Sequence, residues 1–389
     1  MDESLLDIEL KIAPQQPAWD DPAQVRRVRS DLASRPPLVG ADDVRTLRRQ
    51  LALVAAGEAL VVQAGDCAEN PDECTAGHVA RKTAVLDLLA GALRLITGKP
   101  VIRVGRIAGQ FTKPRSRPTE VVGGLELPVY RGHMVNDPDP TPEGRRPDPL
   151  RLLTGYMAAD DIMRHLGWHK PAGPDRIDPV VWTSHEALLL DYEVPLLRSE
   201  DDGMLLSSTH WPWIGERTRR PEGAHVALLA GVTNPVACKV GPTTSPGDLL
   251  ELCRRLDPLR EPGRLTLIAR MGADKAADAL PPLVEAVRAA GHPAIWLTDP
   301  LHANTVTTPG GFKTRYVEAA EREVAAFHHA VVEHGGTAGG LHLETTPDAV
   351  LECVSDVSQA DRVGDAYETF CDPRLNAGQA ISVVSAWQT

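Results

Sequence analysis

From Leu60 onward, short apolar runs recur along the chain, each stopping at a polar or glycine-bearing cluster. They cover residues 60–69, 101–106, 180–186, 204–211, 225–231, 236–241, 265–272, 294–302 and 341–346. Their length and unbroken apolar character are those of strands buried on both faces. Between them, residues 78–96, about 150–166, 247–256, 276–290 and 315–333 place apolar side chains at helical spacing. Strand, helix, strand at this rhythm predicts a parallel sheet. Because polar residues gather where the runs end, the leading architecture is an α/β, eight-stranded (β/α) TIM-type barrel, which builds its sites on that rim. Nine runs are one too many for it, so one is expected to be an irregular insert. A doubly wound open sheet is the alternative, but no GxGxxG follows the first run and no GxxxxGK[ST] occurs.

Residues 1–57 read as a short N-terminal helical extension, with Asp42 or Asp43 as a cap for the second helix. Residues 58–389 then form the barrel. The extension's apolar stripe is expected to pack on the barrel or on a second subunit. Two stretches break the rhythm. Residues 134–150 are rich in proline and aspartate, and residues 209–224 (THWPWIGERTRRPEGA) form another long connection. Both are expected as loops inserted on the barrel.

Composition narrows the class. The chain of 389 residues is 42% hydrophobic and 24% charged, as a soluble globular protein is. No apolar run approaches the roughly 18 residues a membrane helix needs, and the N-terminus, MDESLLDIELK, is acidic where a secretory signal would be basic and then apolar. A cytoplasmic protein without a membrane partner is expected. A formal net charge of -12 argues against nucleic acid as a main partner. None of the six cysteines forms a CxxC pair, so neither a zinc knuckle nor a disulfide framework is expected. Cys67 and Cys371 differ from the rest in having polar neighbours.

Against this acidic background, residues 103–117 (RVGRIAGQFTKPRSR) stand out, with five cations and no acidic residue. They read either as an ordinary basic loop or as an anion site, because arginine offers a planar fork for phosphate or carboxylate and lysine a compact point charge. Near the strand ends lie further cations, Arg217, Lys239 and Arg270. A second set, Cys67, His302, Glu344 and Asp372, mixes S, N and O donors and suits a divalent ion of borderline softness. A metal beside several phosphate-binding cations points to a phosphorylated substrate whose carbonyl the metal polarises.

Ten blocks in order carry a resemblance: GDCAE (65–69), GRIAGQFTKPRS (105–116), YRGHMVN (130–136), TSHEALLLDYE (183–193), STHWPWIGERTR (208–219), NPVACKVGP (234–242), LIARMG (267–272), DPLHANT (299–305), GGLHLETTPD (339–348) and CDPRLN (371–376). The chain resembles the type II 3-deoxy-D-arabino-heptulosonate 7-phosphate (DAHP) synthases, and its short length is similar to the compact, phenazine-pathway subgroup. The resemblance implies a metal-dependent barrel enzyme that condenses phosphoenolpyruvate with erythrose 4-phosphate and releases phosphate, with weak or absent aromatic feedback. It implies metal ligands Cys67, His302, Glu344 and Asp372, with Mn2+ or Co2+ ahead of Fe2+ or Zn2+. Phosphoenolpyruvate would be held by Arg106, Glu216, Arg217, Lys239 and Arg270, of which Glu216, Lys239 and Arg270 would serve the chemistry. Glu216 would orient a water or simply pair with a neighbouring arginine. Lys113 and Ser116 would reach the aldose phosphate, and a homodimer or homotetramer is implied. His133 stands where an aspartate is expected, which keeps an aminoDAHP synthase as the alternative, with a non-catalytic phosphosugar-binding barrel behind it. A reversible Cys67–Cys371 disulfide is a further expectation.

Overall fold

The computed structural model describes residues 8, 11–168 and 180–387. Eight parallel strands form the barrel: β1 (Leu60–Gly65), β2 (Val101–Arg106), β3 (Trp182–Ser184), β4 (Trp213–Ile214), β5 (Val236–Val240), β6 (Leu265–Ala269), β7 (Ile295–Thr298) and β8 (Thr337–Glu344). β1 pairs with β2 and β8, β2 with β3, and β4 through β8 pair in sequence order. The circle closes between β3 and β4, where Glu186 bridges Trp213. Trp213 N–H donates to His185 O at 3.1 Å and Ala187 N–H to Trp213 O at 3.0 Å. The open sheet is thereby excluded.

The strand period of two sorts the side chains. On β5, Val236, Cys238 and Val240 face the surrounding helices, while Ala237 turns into the barrel with Val61, Val104, Ile268 and Ile295. Lys239, two residues on from Ala237, also points inward and reaches the rim cavity. The same alternation sends Arg106 on β2, and both His342 and Glu344 on β8, to the inside.

Around the barrel run α1 (Pro22–Ala33), α2 (Ala41–Ala55), α3 (Ala76–Thr97), α4 (Leu150–His165), the single turn α5 (Leu190–Glu193), α6 (Ala224–Ala230), α7 (Pro246–Leu256), α8 (Ala276–Ala289), α9 (Val317–Glu333) and α10 (Ala377–Ser385). Helices α1 and α2 do two separate jobs. Helix α2 closes the N-terminal end of the barrel, burying Leu47, Leu51 and Val54 against Val61, Ile295 and Leu297. Gly339 on β8 is needed for that approach, because a Cβ there would lie 2.9 Å from Val54 Cγ1 and 2.3 Å from Ile295 Cγ2. Helix α1 starts at Asp21, whose side chain accepts from the N–H groups of Ala23 and Gln24, with proline at the first helical position. It packs on α4 and on residues 190–196, filling the ring where β3 is followed by only one helical turn.

Two of the nine predicted strands are not barrel strands. Residues 225–231 (HVALLAG) lie in helix α6, except Gly231, which caps it. Apolar side chains all round it are buried, so the run carries no helical periodicity to read. Residues 204–206 belong to a two-stranded hairpin with Leu197–Glu200 outside the barrel. The missing strand is β4, two residues long, inside the stretch expected as a loop. Its fully buried Trp213 and Ile214 sit between prolines and glycines that mask the pattern.

Candidate active site

Over the C-terminal ends of the strands lies a polar cavity of about 200 Å³. Cys67, Arg106, Lys113, Ser116, Glu216, Arg217, Lys239, Arg270, His302, Glu344 and Asp372 all line it, joined by Gln110, Glu186 and Trp213. Residues spread over about three hundred positions meet because each ends, or follows, one of the strands of a single closed circle.

The cations are held in different ways. Arg106 is 2% exposed. Its Nε donates to Asp66 O at 3.1 Å and Nη2 to Glu344 Oε1 at 3.0 Å, and its guanidinium lies 5.2 Å from the Trp213 ring centre. Nη1 donates to His342 Nε2 at 2.6 Å, and His342 Nδ1 in turn donates to Gln63 Oε1 at 2.6 Å. Burial and the neighbouring Lys239 and Arg106 keep His342 neutral, its pKa well below the usual range, so it can accept from the arginine. Lys239 donates to Asp299 Oδ2 at 2.9 Å; burial still pulls its pKa down, against the pull of Asp299. Arg217 donates to Ser116 Oγ at 2.6 Å, so these two predicted residues meet at the mouth. The guanidinium of Arg270 makes no hydrogen bond or ion pair with any described residue. Glu216 accepts from Arg219 Nη2 at 2.9 Å, the ion pair that was one of its two readings.

The donor set for a metal also assembles. The ligand atoms of Cys67, Glu344 and Asp372 lie within 4.8 Å of one another. His302 adjoins them, with Nε2 at 3.2 Å from Glu344 Oε1, and Asp299 holds the opposite ring nitrogen, Nδ1, at 2.7 Å. A carboxylate behind a histidine is how proteins orient a metal-binding imidazole. The cradle already accommodates a positive charge. The Lys113 ammonium lies 2.6 Å from Asp372 Oδ2 and 3.5 Å from Glu344 Oε1, and touches Cys67 Sγ. A thiolate, two carboxylates and an imidazole therefore fit a divalent ion. Burial alone would raise Glu344, but His302, Lys113, Arg315 and Arg106 outweigh it and hold its carboxyl well below the usual range.

Several residues that line or brace the cavity escaped the sequence reading. Arg315 is 1% exposed and donates from Nη1 to Glu344 Oε2 at 2.7 Å and to Pro373 O, so it ties one metal-type residue to the backbone next to another. Asp66, beside Cys67, is buried with Lys82 at 2.7 Å and Arg374 at 2.9 Å, and Arg374 also pairs with Glu352. Asp299 and Glu186 complete the set. Asp299 stands in the DPLHANT block, a signal that was available; Arg315, on a short hairpin, left none. His133 does not line the cavity. Its Nδ1 lies 2.6 Å from the Tyr130 hydroxyl and its ring 5.2 Å from that of Phe370, so it carries no argument about the sugar. The Cys371 pKa is drawn down, by the neighbouring Cys67 first and by Lys113 and Arg115, against burial.

A barrel that gathers cations beside a mixed-donor cluster able to hold a metal on its C-terminal rim has the makings of an enzyme for phosphorylated substrates. Residues 5–178 and 160–386 match the model of the Class-II DAHP synthetase family. The chain belongs to that family of DAHP synthases, transferases that open the shikimate pathway. It is 58% identical over 389 residues to a probable phospho-2-dehydro-3-deoxyheptonate aldolase of Pseudomonas fluorescens, covering 99% of this chain and 97% of that one. A phospho-2-dehydro-3-deoxyheptonate aldolase of Streptomyces coelicolor is 41% identical over 420 residues, covering 95% of this chain and 93% of that one. A solved phospho-2-dehydro-3-deoxyheptonate aldolase from Francisella tularensis superposes with a TM-score of 0.54 at 13% identity, covering 97% of this chain and all of that one. That likeness speaks for the fold alone.

Proposed function

We propose that the rim cavity condenses phosphoenolpyruvate with erythrose 4-phosphate, with its residues divided between the two. The observation that carries this reading is that every residue predicted for either substrate or for the metal lines the same cavity. Arg106, Lys239 and Arg270 hold the carboxylate and phosphate of phosphoenolpyruvate, with Arg217 and the Arg219-bound Glu216 beside them. Ser116 and Lys113 serve the aldose phosphate, Ser116 through its contact with Arg217.

Cys67, His302, Glu344 and Asp372 would hold Mn2+ or Co2+. When bound, such an ion polarises the aldehyde. The chain's own part is placement and charge: rigid, buried cations keep the enol methylene facing the aldehyde and exclude bulk water, so little is reorganised as the bond forms. The test is phosphate release from the two substrates with and without a chelator. Release that stops in chelator and returns with Mn2+ or Co2+ is expected. No release with metal present would defeat the reading, and full activity in chelator would defeat its metal half.

The compact, phenazine-like grouping is supported by the alignment lengths. The Streptomyces relative and one from Mycolicibacterium smegmatis align over 420 and 431 positions, against 389 for the Pseudomonas relative. Activity insensitive to tryptophan, phenylalanine and tyrosine is expected, and strong inhibition by any of them would remove it from that group. Assembly as a homodimer or homotetramer is supported by Leu88 and Leu95, 45% and 87% exposed on the outer side of α3; the cytoplasm is its proposed location. No helix among the described residues is long and apolar enough to cross a membrane.

A further inference from the structure

The segment ahead of α1 carries two glutamines between prolines, APQQPAW (13–19), outside the barrel and away from the cavity lining. Their side chains go to different elements. Gln16 ties the segment down: its Nε2 donates to Leu188 O at 2.8 Å and its Oε1 accepts from Leu190 N–H at 2.9 Å, on the stretch that follows β3. Trp19 Nε1 donates to Asp191 Oδ2 at 2.8 Å, and Ile12 O accepts from Ala224 N–H at 3.0 Å, at the start of α6. The segment is a strap anchored on either side of Gln15.

Gln15 reaches the other way. Its Oε1 accepts from the backbone N–H of Arg115 at 2.9 Å. Arg115 lies between Lys113 and Ser116, and all three line the cavity. Arg131 Nη1 donates to Gln15 O at 3.4 Å and to Oε1 at 3.5 Å. Sending adjacent side chains to different elements takes a sharp turn, which Gln15 makes at φ 68°, in the left-handed region where a Cβ is crowded. A conformation of that kind persists only where the surrounding contacts hold it.

The loop has few other backbone restraints. Prolines at 114 and 118 lack an N–H. Among the described residues, the backbone from 113 to 117 makes two hydrogen bonds: Lys113 N–H to Arg131 O at 2.9 Å, and Arg115 N–H to Gln15. The first partner is rigid, because Arg131 N–H donates to Asn136 Oδ1 at 2.9 Å, and the 1% exposed Asn136 donates in turn to Val129 O and Arg145 O. The second is the strap.

We propose that Gln15 is a positioning residue for the sugar-phosphate substrate, an assignment that rests on the placement of Lys113 and Ser116 above. It touches no substrate itself. By holding the Arg115 amide it fixes the loop that carries Lys113 and Ser116, so less order has to be imposed when the aldose phosphate arrives. The uncharged oxygen does this without neutralising the neighbouring Arg115 and Arg131.

The test measures KM for each substrate separately in metal-loaded Gln15→Leu, Gln15→Gly and Gln15→Glu. Leucine keeps the bulk and removes the acceptor, glycine removes it while accepting the left-handed backbone freely, and glutamate keeps an acceptor oxygen. KM for erythrose 4-phosphate is expected to rise roughly tenfold in Gln15→Leu and Gln15→Gly, with KM for phosphoenolpyruvate within about threefold of wild type. Gln15→Glu should stay within about threefold for both. A strap that served the fold alone would lower the melting temperature and leave the two KM values unchanged or move them together. The assignment is overturned if KM for erythrose 4-phosphate stays within about threefold in either Gln15→Leu or Gln15→Gly, if KM for phosphoenolpyruvate rises in proportion, or if Gln15→Glu is as impaired as Gln15→Leu. If Gln15→Leu does not fold, Gln15→Gly decides. Ser116→Ala separates this from the substrate placement: an unchanged KM for erythrose 4-phosphate there defeats the placement, whereas a raised KM there beside an unaffected Gln15→Gly defeats only the role of Gln15.

Discussion

At the N-terminal end of the barrel, Val61, Ala237 and Ile295 pack with Leu47, Leu51 and Val54 of helix α2 in one apolar cluster. At the other end of the barrel, Lys239 on β5, Arg106 on β2 and Glu344 on β8 line a charged cavity. One end is dry and covered, so its residues are replaceable by anything of the right shape. The other end concentrates like charges that only a ligand or a metal can fully answer. Stability and chemistry are therefore separable by position along a strand, and variants at the two ends should fail differently.

The largest separation is expected from Arg270→Ala. Its guanidinium has no described protein partner, so thermal stability should be unchanged, while kcat/KM for phosphoenolpyruvate falls roughly 100- to 1,000-fold. A variant that instead melts early would show that the arginine supports the fold. The opposite signature is expected from Leu51→Ala, 0% exposed beneath the barrel. It should lose about 3 kcal/mol in denaturant unfolding, yet keep the activity of each folded molecule near wild type.

Arg315→Met lies between these extremes, since the arginine is buried but acts on the site through Glu344 and Pro373. Metal affinity, read by competition with a chelating dye, should weaken about 10- to 100-fold. An unchanged affinity would reduce Arg315 to a packing role.

The smallest effect concerns pH. Burial raises Glu323 to about 7 from its usual 4.5, although the N–H groups of Gly272 and Met271 favour its ionised form. A carboxyl raised on folding favours the native state below the unfolded pKa, and this contribution is lost as pH climbs to the folded value. Relative to wild type, Glu323→Gln should therefore gain stability from pH 4.5 to about 7 and run parallel above it. His210, lowered by burial to about 3, contributes the opposite slope in both proteins and cancels in the difference. Stability curves that stay parallel across pH 5 to 8 would show that Glu323 does not titrate there.

Much of this molecule was legible in its sequence, for reasons that are local. The runs at 60–69, 101–106, 236–241 and 265–272 are buried on both faces and read as strands, and four of the five predicted helices begin within two residues of their positions, the fifth at Leu150 as expected. Candidate residues were legible too, because Cys67, Arg106, Lys239, Arg270, His302 and Glu344 stand at the ends of such runs and the ten blocks keep their order. What failed was equally physical. A seven-residue helix apolar on all sides has no period, and a two-residue strand between prolines and glycines has no length.

The sequence by itself determined the parallel barrel, the rim on which chemistry would sit, and the types of side chain placed there. Only the tertiary structure decided which of those charges are answered. Glu216 received Arg219, Glu344 received Arg106 and Arg315, and Glu186 received no ion pair among the described residues. Pairing depends on distances across a closed circle of strands, between residues as much as 238 positions apart, and no local pattern of polarity encodes such a distance.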